Sequence, residues 1–244
     1  MNTSKIEIRN LTVDYIEKKQ SFTALKNVSF RINDGEFVSI IGASGCGKST
    51  LLSVLKGTNK PTEGEVLIDR EKVNGTAINR SVVFQHYSLF PWMTTRKNVA
   101  FGIQQVRKEL SRTQRRQVAD EFLDKVGLSD FRNKYPSQLS GGMQQRAAIA
   151  RALAMDTEIL LMDEPFSALD AKNRIALQEL LLKLWEGEKT ENKKTVVFVT
   201  HDIDEAIFLS DKIVVLTSHL LFFRHHFSKF SLAAIRDLAC HLFS

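Results

Sequence analysis

The sequence predicts an α/β protein with a mostly parallel sheet, and two patterns indicate this fold. Three short, almost entirely apolar runs, Phe37–Ile41, Ile159–Met162 and Val196–Val199, are typical of strands that helices cover on both faces. Helical segments lie between these runs, in the βα order that builds a parallel sheet. Residues 5–32 instead alternate polar and apolar side chains, which indicates an N-terminal antiparallel β subdomain.

The helical candidates carry separate signals along the chain. Lys48–Lys56 and Thr113–Val126 are each followed by a glycine, a residue that often ends a helix. Met143–Met155 is rich in alanine and arginine, and Ala171–Trp185 places leucines at helical spacing. The sequence therefore predicts an α/β core that receives a mostly helical insert at about 86–156.

The composition excludes several classes of protein. The chain has 244 residues, of which 43% are hydrophobic and 25% charged, and this is globular rather than disordered composition. Two cysteines cannot form a disulfide framework, so we expect a reducing, cytoplasmic compartment. Apolar runs stay well short of the roughly 18 residues that cross a bilayer. The net charge of +6 suits an anionic ligand but is too small to indicate nucleic-acid binding.

A glycine-rich loop connects the first buried run to the first helix. Residues 42–49 read Gly-Ala-Ser-Gly-Cys-Gly-Lys-Ser, which matches the phosphate-binding pattern G-x-x-x-x-G-K-[ST] in its required strand–loop–helix context. The glycines let backbone N–H groups surround phosphate oxygens, and the helix N-terminus favours negative charge. Lys48 is expected to reach the terminal phosphates and Ser49 to bind Mg²⁺, in a P-loop NTPase core. An ordinary glycine-rich turn is the alternative.

Two acidic residues follow the second buried run. Asp163 and Glu164 stand at its carboxyl end, where open α/β sheets bind their ligands. Asp163 is predicted to lie in the Mg²⁺ shell, and Glu164 to orient or deprotonate a water that attacks the γ-phosphate. The alternative is a solvated strand end with two surface acids.

A third motif, Leu139-Ser-Gly-Gly142, stands at the start of the alanine-rich helix and is a second possible phosphate cradle. Alone it is weak, because Ser-Gly-Gly is also a common loop and cap sequence. Five motifs occur here in the same order as in a known protein family: the phosphate loop, this motif, the acidic strand end, Ser167-Ala-Leu-Asp170 and His201. With them the chain resembles the ATP-binding subunits of ABC transporters over about residues 5–217.

The resemblance implies the fold of that family, with a helical subdomain that carries the Leu-Ser-Gly-Gly signature, and it implies ATP and Mg²⁺ as ligands. The implied nucleotide contacts are Tyr15, Gly42, Ala43, Ser44, Gly45, Cys46, Gly47, Lys48, Ser49, Thr50, Ser140, Gly141 and Gly142. The implied Mg²⁺ ligands are Ser49, Gln85 and Asp163. The implied catalytic residues are Lys48, Gln85, Glu164 and His201.

Four individual roles rest on the resemblance alone. Tyr15 would stack on adenine, unless it is simply a strand residue. Gln85 would touch Mg²⁺ and the attacking water and report to a membrane partner, unless it merely ends a strand. Asp170 would cross a dimer interface, and it can cap a helix at the same time. His201 would hold the γ-phosphate, although a lone histidine at a strand end is usually structural.

The resemblance also implies partners. Two chains would sandwich two ATP molecules head-to-tail, with Ser140 and Gly142 completing the site of the other chain. Phe90-Pro-Trp92 would contact a transmembrane permease, since exposed aromatic patches tend to be contact sites. The segment Phe90-Pro-Trp92 after Gln85, together with Gly142-Met-Gln-Gln-Arg146 in the signature, is most similar to importers of nitrate, sulfonates, taurine and related small organic anions.

We therefore expect a homodimer at the inner face of the cell membrane. It would act with permease subunits and, indirectly, with a solute-binding protein, and we expect no nucleic-acid partner. A soluble ABC-type ATPase or a nucleotide-binding regulatory protein without a transport role is the alternative.

Residues 218–244 depart from the family pattern. No glycine follows Gly187 and no proline follows Pro165, so the turn signals expected there are missing. We expect the ATP-binding domain to occupy residues 1–217 and the remainder to be an atypical tail with one helix near its end.

Overall fold

The computed structural model describes residues 4–17, 20–85, 88–186, 193–217 and 225–226. The chain divides into two compact units, one of Met1–Ala77 with Lys193–Ser244 and one of Ile78–Asn192. The helix predicted for the tail lies outside the described residues.

An antiparallel sheet lies in the first unit. β1 (Ser4–Glu17) pairs with β2 (Gln20–Asn33) on one side and with β4 (Glu63–Ile68) on the other, and β5 (Glu71–Lys72) pairs with β4. The buried apolar residues of β1 are Ile6, Ile8, Leu11 and Val13. The alternation in the sequence thus corresponds to the predicted antiparallel β subdomain, with one side of each strand against the core.

The first unit also contains three parallel strands. β3 (Phe37–Gly42) lies between β8 (Thr195–Val199) and β9 (Lys212–Leu216), and every residue of these strands is buried. β10 (His225–His226) pairs antiparallel with β9. Burial on both faces explains why β3 and β8 have mostly apolar sequences, in which Ser39 and Thr195 are buried exceptions. The pairing confirms the prediction of parallel strands.

Two helices follow these strands. α1 (Lys48–Lys56) comes after the phosphate loop and has the predicted bounds. It ends at Gly57, whose φ of 78° is left-handed and whose added Cβ would lie 1.9 Å from the Gly75 oxygen, so only glycine fits there. α6 (Ile203–Leu209) begins after Asp202, which caps its first turn, and the sequence did not predict this short helix.

The second unit holds β6 (Arg80–Val83) parallel to β7 (Ile159–Asp163). Its described α-helices are α2 (Thr95–Val106), α3 (Arg112–Lys125), α4 (Gly141–Ala154) and α5 (Ala171–Glu186). Side chains of α2, α3 and α4 share one apolar cluster, which makes this part of the unit mostly helical, as predicted. None of the described helices has the length and apolar character needed to cross a membrane.

Among the described α-helices of the second unit, α2 is the one that the sequence did not predict. Its interior contains Gly102, which weakens a helical signal. A Cβ at Gly102 would lie 2.7 Å from Arg151 Cγ on α4, so glycine permits the close approach of the two helices.

Candidate active site

The phosphate loop turns between β3 and α1 in the first unit. Gly45 and Gly47 have φ angles of 81° and 99°, which residues with a Cβ rarely adopt. A Cβ at Gly42 would lie 2.3 Å from a backbone oxygen of β9 and 2.5 Å from Cys46 Sγ. Three glycines of the motif are therefore required by the backbone itself. The exposed members of the loop and of its helix start are Ala43, Ser44, Gly45 and Ser49.

Lys48 is the buried cation of this loop. The residue is 6% exposed, and its Nζ donates to the carbonyl oxygens of Gly42 at 2.7 Å and Ala43 at 2.9 Å. A buried ammonium is costly unless it is hydrogen-bonded, and these two carbonyls meet that need. The loop thus combines backbone freedom with one fixed positive charge, which fits a phosphate ligand.

Cys46 lies partly buried in the same loop and is a free cysteine. Burial raises the pKa of its thiol, and the Lys48 ammonium opposes part of that rise. The Cys46 thiol is therefore mostly protonated at neutral pH.

Tyr15 lies on β1 and is 42% exposed. Its hydroxyl is 3.4 Å from Thr50 Oγ1 in the first turn of α1, and it accepts a 2.9 Å hydrogen bond from Asn59 Nδ2. These contacts place the tyrosine beside the helix that follows the phosphate loop. The position suits the predicted adenine contact, and Asn59 is a supporting residue that sequence reasoning missed.

His201 is exposed and lies two residues after the end of β8. The Thr200 N–H donates to the Ile40 oxygen at 3.2 Å, so β8 ends beside the strand from which the phosphate loop starts. The Asp202 N–H donates to Thr200 Oγ1 at 3.0 Å and fixes the turn that carries His201. The first unit thus carries the phosphate loop, Tyr15 and His201.

The second unit carries the two acids. Asp163 ends β7, and both Asp163 and Glu164 are partly buried. Glu164 has a φ of 42°, in the left-handed region that non-glycine residues seldom occupy. Strained backbone of this kind concentrates at functional sites, and no sequence pattern indicated it.

A serine and a glutamine adjoin Glu164. The Glu164 carbonyl oxygen accepts from the Ser167 N–H at 3.2 Å and from Ser167 Oγ at 3.0 Å. Gln85 is exposed, and its Nε2 donates to Ser167 Oγ at 3.3 Å. The structure therefore brings Gln85 and Glu164 together through Ser167, a residue to which the sequence assigned no separate role.

The Leu-Ser-Gly-Gly motif begins α4 in the second unit. Ser140 caps this helix, because its Oγ accepts from the Met143 N–H at 3.4 Å, and Gly141–Gly142 form the first turn. Asp170 likewise precedes α5 and accepts from the Asn173 N–H at 3.0 Å. Hydrogen bonds from Asn173 lower the pKa of Asp170, which is thus the helix cap that the sequence allowed.

The segment Phe90–Trp92 presents an aromatic surface. Trp92 is 70% exposed, and its ring centroid lies 5.5 Å from that of Phe90, which packs edge-on against Phe101 at 5.0 Å. The fully buried Asn98 donates to the Phe90 and Met93 oxygens, each at 3.1 Å, and accepts from the Phe90 N–H at 2.7 Å. The segment is therefore held firmly while its tryptophan stays exposed.

Comparison with known proteins decides the family. A family model described as ABC transporter matches residues 25–167, which is more than half of the chain. The chain belongs to the ABC transporter family.

Individual ABC proteins agree with this assignment. An uncharacterised ABC transporter ATP-binding protein of Methanocaldococcus jannaschii is 50% identical over 214 residues, 88% of this chain and 78% of that protein. A nitrate import ATP-binding protein of Synechococcus elongatus is 48% identical over 197 residues, 81% of this chain and 70% of that protein.

A solved ABC structure matches the fold. It is the dimeric structure of an ATP-binding cassette in a post-hydrolysis state, bound to ADP and Pi. That cassette is 40% identical, with a TM-score of 0.79, and the match covers 92% of this chain and 100% of that chain. The protein is therefore an ATP-binding subunit of an ABC transporter, from a family that hydrolyses ATP.

Proposed function

We propose that this subunit hydrolyses ATP to energise the import of a small anion, namely nitrate, a sulfonate, taurine or a similar small organic anion. The observation that carries the proposal is the 48% identity to a nitrate import ATP-binding protein. The exposed Trp92 on its braced segment supports the same conclusion, because it offers a contact surface for a membrane partner.

The phosphate loop and its neighbours bind ATP in this proposal. Backbone N–H groups of Gly42–Thr50 hold the phosphates, and Lys48 neutralises the terminal ones. Tyr15 supports the adenine from its place beside α1. The loop fits this ligand, because its glycine conformations and its buried ammonium are what a polyphosphate needs.

Ser49, Gln85 and Asp163 are the residues that would hold Mg²⁺. Hydroxyl, amide and carboxylate oxygens are the ligands that this hard cation prefers, usually together with substrate phosphates and waters. When bound, Mg²⁺ would supply charge neutralisation to the phosphoryl group being transferred.

Hydrolysis then depends on positioning and charge. Glu164 orients the attacking water and accepts its proton, while Lys48 and His201 stabilise the negative charge that spreads over the γ-phosphoryl oxygens. Gln85 touches the same water and links the site to the membrane partner.

Two copies of the subunit form the working ATPase. Ser140, Gly141 and Gly142 of each copy complete the nucleotide site of the other, and the dimeric state of the solved relative supports this arrangement. The dimer lies at the inner face of the membrane under permease subunits. A solute-binding protein acts on it only indirectly, and nucleic acid takes no part.

Reconstitution tests the proposal. The subunit is purified from native membranes with whatever co-purifies, and the complex is placed in liposomes that contain ATP on the subunit's side. We expect ATP-dependent uptake of nitrate, a sulfonate or taurine. Uptake of none of these anions, or the same uptake without ATP, would contradict the proposal.

A further inference from the structure

Ser167 joins two predicted site residues of the second unit. Its hydroxyl donates to the Glu164 carbonyl oxygen at 3.0 Å and accepts from Gln85 Nε2 at 3.3 Å. A serine hydroxyl has one proton to donate, and the carbonyl oxygen can only accept, so the direction of both bonds is fixed. The hydroxyl is therefore engaged on both sides.

The backbone at Glu164 needs such support. Its φ of 42° is one that a non-glycine residue holds only when its surroundings impose it. Ser167 supplies two hydrogen bonds to the Glu164 carbonyl, one from its N–H at 3.2 Å and one from Oγ. A substitution at residue 167 that keeps the backbone bond but removes the hydroxyl releases half of this support, and it frees Gln85 at the same time.

We propose that Ser167 is a positioning residue for hydrolysis, which sets the backbone of Glu164 and ties it to Gln85. The inference rests on the proposed function, in which Glu164 orients the attacking water and Gln85 contacts it. Ser167 acts through these two residues and not on ATP. Its loss should consequently lower turnover and leave ATP affinity almost unchanged.

The test compares Ser167→Ala with Ser167→Thr in the full-length chain. We expect Ser167→Ala to lower kcat for ATP hydrolysis about tenfold with KM changed less than about twofold, as fits the loss of hydrogen bonds that orient a reacting group. Ser167→Thr retains the hydroxyl, and because residue 167 is exposed the extra methyl has room, so turnover should recover. Equal loss in both variants would overturn the inference.

A matched control removes a serine hydroxyl elsewhere in the second unit. Ser111 caps α3 and is hydrogen-bonded with Gln114, so Ser111→Ala removes a cap without touching the site. We expect Ser111→Ala to keep the wild-type kcat. If Ser167→Ala is as active as Ser111→Ala, Ser167 does not position the reacting residues.

Two further variants test the tie between Ser167 and Gln85. Ser167→Ala should lower kcat by a smaller factor in the Gln85→Ala background than in the wild type, because the two side chains act on one another. If the two losses of kcat simply multiply, the side chains act independently and the tie between them is refuted.

Glu164→Gln separates this inference from the proposed function. If Glu164→Gln retains turnover, the proposed function fails as well. If Glu164→Gln is inactive while Ser167→Ala is fully active, the Ser167 inference alone is refuted.

A last comparison excludes an effect through dimerisation. Glu164→Gln and Glu164→Gln/Ser167→Ala are sedimented with saturating ATP. We expect both to dimerise equally, since Ser167 acts on hydrolysis. A double variant that stays monomeric would show that Ser167 serves the interface instead.

Discussion

Lys48 and the glycines around it determine the local structure of the phosphate loop. The Lys48 ammonium is buried and donates to two carbonyl oxygens of its own loop. Gly42 lies so close to β9 and Cys46 that a Cβ would not fit there. Each of these features follows from a residue type that the motif specifies. The phosphate loop was therefore predictable, because its glycines and its lysine are local steric and electrostatic requirements.

Lys48→Ala should weaken ATP binding itself. The substitution removes the proposed charged hydrogen bond to phosphate, so we expect the Kd for ATP to rise about 10- to 100-fold. Isothermal titration calorimetry measures this directly, with Lys60→Ala as a control at an exposed lysine of the same unit. An unchanged Kd in Lys48→Ala would remove Lys48 from the phosphate site.

Cys46 should report whether the phosphate loop is filled. In a Cys240→Ser background we expect a small alkylating agent to label Cys46, and saturating ATP to slow the reaction. Because burial raises the pKa of this thiol, its thiolate is scarce at neutral pH, and the midpoint of the labelling rate should lie above about pH 8.5, the midpoint expected for an ordinary thiol. Equal labelling with and without ATP would mean that the loop does not hold the nucleotide.

At the scale of elements, long-range contacts explain what the sequence did not predict. α1, α3, α4 and α5 have clear periodicity or a terminal glycine, and their bounds were predicted closely. α2 contains Gly102 in its interior, and the close contact of this position with Arg151 on α4 explains why glycine is needed there. The hydrogen bond from Gln85 to Ser167 likewise joins segments that lie far apart in the sequence, so no local pattern predicts it.

Trp92→Ala should separate ATP binding from membrane association. Asn98 donates to the Phe90 oxygen and Phe101 packs against the Phe90 ring, so the segment Phe90–Trp92 is held without the indole. Removing the exposed indole should therefore leave the fold and ATP binding intact. Loss of an aromatic anchor at an interface typically costs upwards of about 2 kcal/mol, so co-purification with membranes should fall sharply. Phe208→Ala, at an exposed aromatic of α6, is the matched control. Undiminished co-purification of Trp92→Ala would move the docking surface elsewhere.

At the scale of the whole molecule, the predicted site residues belong to both units. The phosphate loop, Tyr15 and His201 belong to the first, and Gln85 and Glu164 belong to the second. The order of motifs along the chain allowed the family to be inferred from sequence. The solute was not predictable in the same way, because no residue described here is expected to touch it.

In the proposed function, Glu164 drives ATP hydrolysis after two copies have bound ATP. The most direct test is Glu164→Gln, measured for steady-state ATP turnover and for dimerisation by sedimentation velocity with ATP. We predict unimpaired ATP binding, a turnover lower by about 10²- to 10⁴-fold, the usual loss when a general base is removed, and a dimer that persists while ATP is present. Near wild-type turnover would show that Glu164 is not the general base. A chain that stays monomeric with bound ATP would show that ATP does not bring two copies together.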